Sequence, residues 1–404
     1  MKFKAVCLCA LSLTLGMMLA CAGGDPVASK AESAWRATLD KDPDNAGKYT
    51  MQVASGSSAP LARQLMIEGL DAPKYKAALG AAEAIAKDPF PEAQAKLKEM
   101  FDTKAGAIQV QSAVALNKLG DAEAGEWLKG KLGELIGTTR VDVLVFLGKQ
   151  DREAVTPTLE AMMASKEQQD QDEAYQALGQ IQQDWSKERL LKALDTERGE
   201  NRKFAVAALG KSGDPEVAKK IQKFVNTRGL VFSTLEALGE LGNPDSSDAV
   251  ESMMDNAYSA VRARAAAALW KLGTLENPAE AMQGIIDPED AESRIEVAEQ
   301  LASIDDPAAL AMLETLAGDE DSTVRQAAVY SLAERSEDAV LPVLAKMVED
   351  KAYTVSTVAM RELGQRGDAA AIDALAPLLD SGNQYVVISA ANAILELKER
   401  HSGA

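Results

Sequence analysis

Apolar residues recur along this chain with a period close to 31 residues. With Leu209 as the reference, eight of ten successive steps between equivalent apolar residues are 31 residues long, one is 29 and one is 32. These eleven anchor positions are Ile85, Leu116, Leu147, Leu178, Leu209, Leu238, Leu269, Leu301, Leu332, Leu363 and Ile394. A small residue stands four positions before each anchor, as Ala205 does before Leu209. Residues four apart share one face of a helix, so each anchor predicts a helix with a buried face.

A second helix is predicted in each period, because apolar residues also occur twelve and sixteen positions after the anchors, as Ile221 and Val225 do after Leu209. The turns "SGDPE", "LGNPD", "IDDPA" and "AKDPF" separate the two helices. In them Asp or Asn is expected to cap the second helix, and Pro to occupy its first position. We call the two helices A and B. One such pair cannot bury its apolar face alone, so successive pairs are expected to stack.

The strings "STVRQAAVYSL", "SAVRARAAAAL" and "LGKSGDPEVAKKI" resemble HEAT repeats, in particular the short alanine-rich bacterial kind also seen in phycobilisome lyase subunits. The resemblance covers roughly residues 70–400. Together with the period it predicts an all-α fold, a HEAT-like α-solenoid of about eleven helix pairs. The solenoid is predicted over 71–404, preceded by a helical cap at 31–70 and a tether at 21–30.

Composition agrees with helices, since 47% of residues are hydrophobic but only 4% aromatic. The start of the chain differs from the rest: "MKFK" is positive, an apolar run follows, and small residues end it, which predicts a signal peptide over 1–20. "MLAC" resembles a lipobox, which implies that Cys21 carries a lipid. The alternative is a plain signal peptide cleaved after Ala22. The lipobox resemblance implies a lipid-anchored protein of the cell envelope, at the outer membrane or facing the periplasm.

Charge is unevenly distributed. The formal net charge is −19, and loss of Lys2 and Lys4 with the signal peptide makes it −21. Such a surface repels phosphate backbones, so nucleic acid is not an expected partner. Residues 21–226 hold 28 basic and 31 acidic side chains, whereas residues 227–404 hold 13 and 31. The negative charge therefore lies in the C-terminal half.

Residues 276–321 are the most acidic stretch, with 14 acidic side chains and Arg294 as the one basic residue. The period places its loops in equivalent positions of successive units, so their charges are expected to line one edge and attract a basic protein partner. The candidate partner-binding residues are Asp287, Glu289, Asp290, Asp319, Glu320 and Asp321. Two alternatives stay open for this charge, namely favourable interaction with helix dipoles and simple solubility.

Arginine also recurs, seven residues before the anchors, while aspartate recurs in the loops between units. The arginines are Arg140, Arg202, Arg262, Arg294 and Arg325, and the aspartates are Asp287, Asp319, Asp350 and Asp380. In HEAT repeats such positions resemble stacked ladders that tie one unit to the next. A structural role is therefore expected, with ligand binding as the alternative.

Catalytic chemistry has little support in the sequence. The single histidine, His401, lies in the tail, and the three cysteines, Cys7, Cys9 and Cys21, lie at the start of the chain. We predict no catalytic residues, no metal site and no cofactor. The predicted function is a lipid-anchored scaffold that binds proteins along a helical-repeat surface. A structural spacer or assembly subunit of an envelope complex is the alternative, and a lyase-like enzyme, suggested only by the family resemblance, is a remote one.

Overall fold

The computed structural model describes residues 25–42, 45–197 and 199–401. Within these ranges all regular secondary structure is helical, with 24 α-helices joined by short turns and six 3₁₀ helices. The predicted all-α class is therefore confirmed. The chain divides into two compact units. The first combines residues up to Lys96 with those from Asp338 onward, and the second is Leu97–Glu337.

The helix bounds follow the predicted alternation of A and B helices. Those of the first unit are α1 Pro26–Lys41, α2 Asn45–Ala54, α3 Pro60–Leu70, α4 Tyr75–Lys87, α21 Leu341–Met347, α22 Tyr353–Arg366, α23 Ala371–Leu375 and α24 Gln384–His401. Those of the second unit are α5 Gln94–Thr103 (which begins just before the boundary), α6 Ala107–Lys118, α7 Ala122–Lys131, α8 Gly137–Gln150, α9 Arg152–Met163, α10 Gln168–Ile181, α11 Asp184–Thr196, α12 Gly199–Gly210, α13 Ala218–Ile221, α14 Val231–Leu241, α15 Ser247–Glu251, α16 Ser259–Leu272, α17 Pro278–Gln283, α18 Ala291–Leu301, α19 Pro307–Leu316 and α20 Ser322–Glu334.

The eleven anchors are buried in the core, each at most 2% exposed, and the small residues four positions earlier are buried with them. This confirms the predicted inner face of helix A. Neighbouring A helices supply that burial, as α12 packs against α14, and α14 against α16. The core is thus a row of A-helix contacts between successive units, which is the arrangement expected when no single pair can bury its own apolar face.

Helix B follows the predicted pattern less closely. In four units a residue expected to be buried is only half-buried, and its neighbour in sequence takes the core position instead. The half-buried residues are Met163, Met254, Ala281 and Ala317, and the buried neighbours are Met162, Met253, Met282 and Leu316. The B helices are short, so a one-residue shift in their packing costs few contacts, and the sequence period alone does not fix their rotation.

The turns between helices confirm three of the four predicted caps. Asp214 accepts from the Glu216 amide, and Asn243 and Asp306 cap their helices in the same way. The fourth prediction is wrong, because the helix after "AKDPF" begins with a 3₁₀ turn at Pro91. Pro91 takes the first position that had been expected for the earlier proline, so Asp88 lies too far upstream to act as the cap.

Glycines just after the anchors allow A helices of successive units to approach closely. A Cβ added at Gly210 would lie 2.6 Å from the Cα of Ala237, and one at Gly364 would lie 2.7 Å from the Cα of Ala393. Contacts this short are essentially never made by a real Cβ, so only glycine fits without a shift of the backbone. This small-residue contact recurs at Gly179 and Gly239 and extends the predicted role of the small residues.

The N-terminal helices pack on the C-terminal helix inside the first unit. Helix α1 lies along α24, and α2 also contacts it. Residues 26–30 were predicted to belong to a tether, but they form the first turns of α1, because Asp25 accepts from the Val27 and Ala28 amides and Pro26 occupies the first position. Residues 21–24 of the predicted tether lie outside the described residues.

Candidate protein-binding surface

The loops 287–290 and 319–321 lie side by side, because both contact the guanidinium group of Arg294. Its Nη1 donates to the Pro288 carbonyl at 2.6 Å. Its Nε and Nη2 donate to the two carboxylate oxygens of Asp319, at 2.8 and 3.1 Å. Arg294 belongs to α18 and Asp319 to the next unit, so this contact links two successive repeats. The side chains of Arg294 and Asp319 are only 9% and 13% exposed.

The ion pair with Arg294 occupies the carboxylate of Asp319. A two-point contact between guanidinium and carboxylate is the stronger form of charge-assisted hydrogen bond. The hydrogen bonds that Arg294 donates to Asp319, opposed in part by desolvation, raise the pKa of Arg294 above its usual value. Asp319 also accepts from the Asp321 amide at 2.8 Å. Both of its oxygens are therefore engaged within the protein, and Asp319 is not available to a partner as the sequence had suggested.

Three other candidate carboxylates are engaged locally. Asp287 accepts from the Glu289 amide, Asp290 caps α18 through the Glu292 amide, and Asp321 caps α20 through the Thr323 amide. Hydrogen bonds from the hydroxyl and amide of Thr323 lower the pKa of Asp321. These side chains keep one oxygen for solvent, so they contribute negative charge to the edge while holding the loops in place.

Glu289 and Glu320 are the candidate residues with the greatest freedom. Both are exposed, and within the described part of the chain neither side chain makes a hydrogen bond or ion pair. They come from equivalent loops of successive units. Of the six predicted residues, these two combine an exposed carboxylate with no hydrogen bond or ion pair among the described residues.

A groove that the sequence did not predict runs beside these loops. It is an open depression of about 450 Å³. Its lining joins the loop after α17, the helix α19 and the Arg294–Asp319 pair, with Ile286, Met312 and Leu316 as apolar contributors and Glu320 at its edge. We call it, together with Glu289, the acidic groove. Its apolar contributors come from a B helix and from the loop after the preceding B helix, so the 31-residue period alone did not reveal it.

The predicted arginine ladder is present in part. Arg294 bridges to Asp319, and Arg140 bridges to Asp170 and Glu173 of the following unit, each at 2.6 Å. Arg262 donates to the Asn256 carbonyl in the loop before its own helix, and Arg325 donates to the Asp319 carbonyl in the equivalent loop. These contacts hold repeats and loops together.

The remaining ladder positions have other local roles. Arg202 lies over the Phe224 ring at 5.1 Å. Asp350 accepts from the Ala352 amide, and Asp380 pairs with Lys30 of α1 at 2.7 Å rather than with an arginine. The residues at the predicted ladder positions therefore do not all make the same kind of contact.

Other predicted features fall outside this surface. Cys21, the predicted lipid site, and the signal peptide lie outside the described residues. His401 is exposed at the end of α24. Among the described residues there is no group of three or more histidine, cysteine or carboxylate side chains placed to hold a metal ion. None of the described helices combines the length and apolar character needed to cross a membrane.

Comparison with known proteins identifies the repeats. Residues 155–233 and 278–359 match the family model of HEAT repeats. No match is found among curated proteins. Among solved structures the chain is similar to the complex of CpcE and CpcF of phycocyanin lyase from Nostoc sp. PCC7120, with 19% identity, a TM-score of 0.43, and coverage of 55% of this chain and 92% of the other.

Two further structures share this degree of similarity. Kap121p is 14% identical with a TM-score of 0.36, and the match covers 96% of this chain and 49% of Kap121p. Human deoxyhypusine hydroxylase in complex with glycerol is 16% identical with a TM-score of 0.30, and the match covers 63% of this chain and 98% of the other.

Proposed function

We propose that this HEAT-repeat protein is a scaffold without catalytic activity, and that it binds a basic segment of a partner protein in the acidic groove. One observation carries the proposal: an apolar depression lies between successive B helices, and unpaired carboxylates stand at its edge. An apolar floor gives a partner side chain something to bury, while Glu289 and Glu320 offer charge to lysine or arginine beside it.

Electrostatics supports a basic partner over a neutral one. Residues 276–321 carry 14 acidic side chains, and their one cation, Arg294, is already paired with Asp319. Like charges in neighbouring loops reinforce one another within a Debye length of about 8 Å at physiological ionic strength. Association should therefore be fast at low salt and slower as salt rises.

The test is affinity capture with cross-linking, comparing the wild type with Glu289→Gln/Glu320→Gln. The double variant removes two charges without touching a cap or the ion pair. Glu188→Gln/Glu251→Gln is the matched control, because it removes the same charge from exposed glutamates elsewhere in the second unit. We expect the first variant to weaken capture of a defined partner, and the control to leave it unchanged. Equal capture by all three proteins, with no salt dependence, would remove the acidic groove from consideration.

We further propose that the protein is anchored to the cell envelope by a lipid on Cys21. The support is the sequence "MLAC" and the charged, apolar and small segments around it. Cys21→Ser should release the protein from the membrane fraction, and mass spectrometry of the mature N-terminus should show a modified Cys21 in the wild type. A mature wild-type protein that begins at Gly23, or that is recovered without membrane, would contradict the anchor.

The spacer alternative is less well supported than the scaffold. A spacer whose length is its function needs its first and last helices far apart, whereas α1 packs against α24 in the first unit. Lys398 pairs with Asp25 at 2.6 Å, and Lys30 pairs with Asp380, across the same contact. Capture of a specific partner distinguishes the two functions, because a passive spacer brings none through the acidic groove.

A further inference from the structure

The C-terminal helix α24 is buried on every side along its middle. All residues from Val387 to Leu397 are buried, including Asn392 and Glu396. A helix at the end of a repeat array would ordinarily expose one face to water. Here α22, α1 and α2 all pack against α24. Residues 25–42 and 45–58, which we call the N-terminal segment, therefore contribute to the burial of this helix.

Polar contacts hold this segment to α24. The Tyr49 hydroxyl lies 2.9 Å from the Ser389 hydroxyl, and the Ser57 hydroxyl donates to Asn392 Oδ1 at 2.8 Å. At the rim, the Lys398–Asp25 and Lys30–Asp380 pairs are partly exposed, so each contributes little. The contact between the N-terminal segment and α24 thus has a buried interior, and the ion pairs at its solvated rim add little stability.

Glu396 is the one acidic side chain in that buried interior of α24. It is 3% exposed, and its Oε2 atom has no hydrogen-bond partner. On one side it lies against α22, since a Cβ at Gly364 would be 2.7 Å from Oε2. On the other side it meets Ser57 and Ser58 of the N-terminal segment. The carboxyl group is therefore enclosed between α22 on one side and the N-terminal segment on the other.

Few groups near Glu396 can stabilise a negative charge. The Ser57 hydroxyl has one proton and directs it at Asn392 Oδ1, so Ser57 stabilises the carboxylate only in part. Arg400 is the nearby cation, but its guanidinium donates to the carbonyls of Gly364 and Gln365. On α22, Glu362 is itself buried and paired with Arg361. Among the described residues of the N-terminal segment, Ser57 and the Ser58 amide are the groups that act on the Glu396 carboxyl.

Burial therefore has the largest effect on the pKa of Glu396. Desolvation raises the pKa of Glu396 above its ordinary value, and Ser57, the Ser58 amide, Arg400 and Asn392 oppose that rise only in part. The proton is bound more tightly when the segment is docked than when Glu396 is open to water.

We propose that docking of this N-terminal segment on α24 is a proton-dependent latch, closed while Glu396 is neutral and released when Glu396 ionises. The sign follows from linkage. Because the docked state binds the proton more tightly, protonation stabilises the docked state over the open state. This stabilisation is complete below the pKa of the carboxyl in the open state, and it declines as pH rises toward the raised pKa of the docked state. Each unit of pH in this window changes the ratio of docked to open forms by up to about tenfold. Opening would expose a buried face of α24 to another protein.

Hydrogen exchange of the full chain, followed by mass spectrometry between pH 5 and pH 8, tests the latch. After correction for the intrinsic exchange rate, amides of α1 and α2 should lose protection as pH rises, while those of α12 and α14 should not. In Glu396→Gln this protection should be independent of pH. Glu83→Gln, on an exposed position of α4 in the same unit, is the control and should behave as the wild type.

Glu396→Met provides a second neutral variant in case the amide is poorly accommodated. Circular dichroism checks that every variant keeps the helical content of the wild type. A pH-independent latch in both neutral variants, with normal pH dependence in the control, supports the proposal. Equal pH dependence in wild type and neutral variants, or no pH dependence in the wild type, would overturn it.

Discussion

Replacement of Leu209 by alanine tests whether the anchors carry the fold. Leu209 is fully buried at the end of α12. The change removes three carbon groups, for which loss of transfer free energy alone is about 2.4 kcal/mol. The cavity left behind adds to this, so the total cost is expected at about 2–5 kcal/mol. The upper half of that range is favoured because Gly210 already holds α12 against the backbone of α14, which leaves little room for collapse.

The loss of stability in Leu209→Ala should stay local, because in repeat proteins each unit contacts mainly its neighbours. We expect amides of α12 and α14 to lose hydrogen-exchange protection, while those of α6 and α20 keep theirs. Ile136→Ala is the matched control, since Ile136 is 73% exposed and its truncation should change stability by less than about 0.5 kcal/mol. If Leu209→Ala costs no more than Ile136→Ala, or if protection is lost evenly along the chain, the anchors do not form the nearest-neighbour core described above.

Two further predictions concern contacts between repeats. Gly210→Ala should destabilise the protein by about 1–3 kcal/mol, because the added methyl group overpacks the contact between helices. Gly80→Ala, where a Cβ has open space in α4, should instead stabilise the protein by up to about 1 kcal/mol. Thermal unfolding measures both effects, and a change in stability of the same sign in the two variants would contradict the close approach at Gly210. Arg140→Met should lower the free energy of unfolding by about 3–5 kcal/mol, because it leaves the buried carboxylate of Glu173 without its cation. Lys203→Met, which breaks an exposed pair, should lower it by less than about 1 kcal/mol. A denaturant titration measures both changes. Similar costs for the two cations would mean that the Arg140 pair is not buried in solution.

Local spacing along the chain was enough to predict the repeat, the helix pairs and the buried face of helix A. Those features depend on residues three or four positions apart, and helical geometry converts that spacing directly into a shared face. The burial of Leu209 and the cap at Asp306 could be predicted for this reason, whereas HEAT repeats were predicted from a resemblance that the match of residues 155–233 and 278–359 confirms. Helix B was predicted less well, because a short helix can rotate by one residue, as at Met282, and keep most of its contacts.

Which charged groups are engaged, and which segments meet, depends instead on the three-dimensional fold. The six candidate acids look alike in sequence, yet Asp319 pairs with Arg294 of another repeat, whereas Glu320 beside it is exposed and makes no hydrogen bond or ion pair among the described residues. The contact of Ser57 with Asn392 joins residues 335 positions apart, and no local pattern records it. The periodic sequence specifies each contact between neighbouring repeats, but the burial of Glu396 follows from the packing of the N-terminal segment on α24, which no spacing of three or four residues encodes.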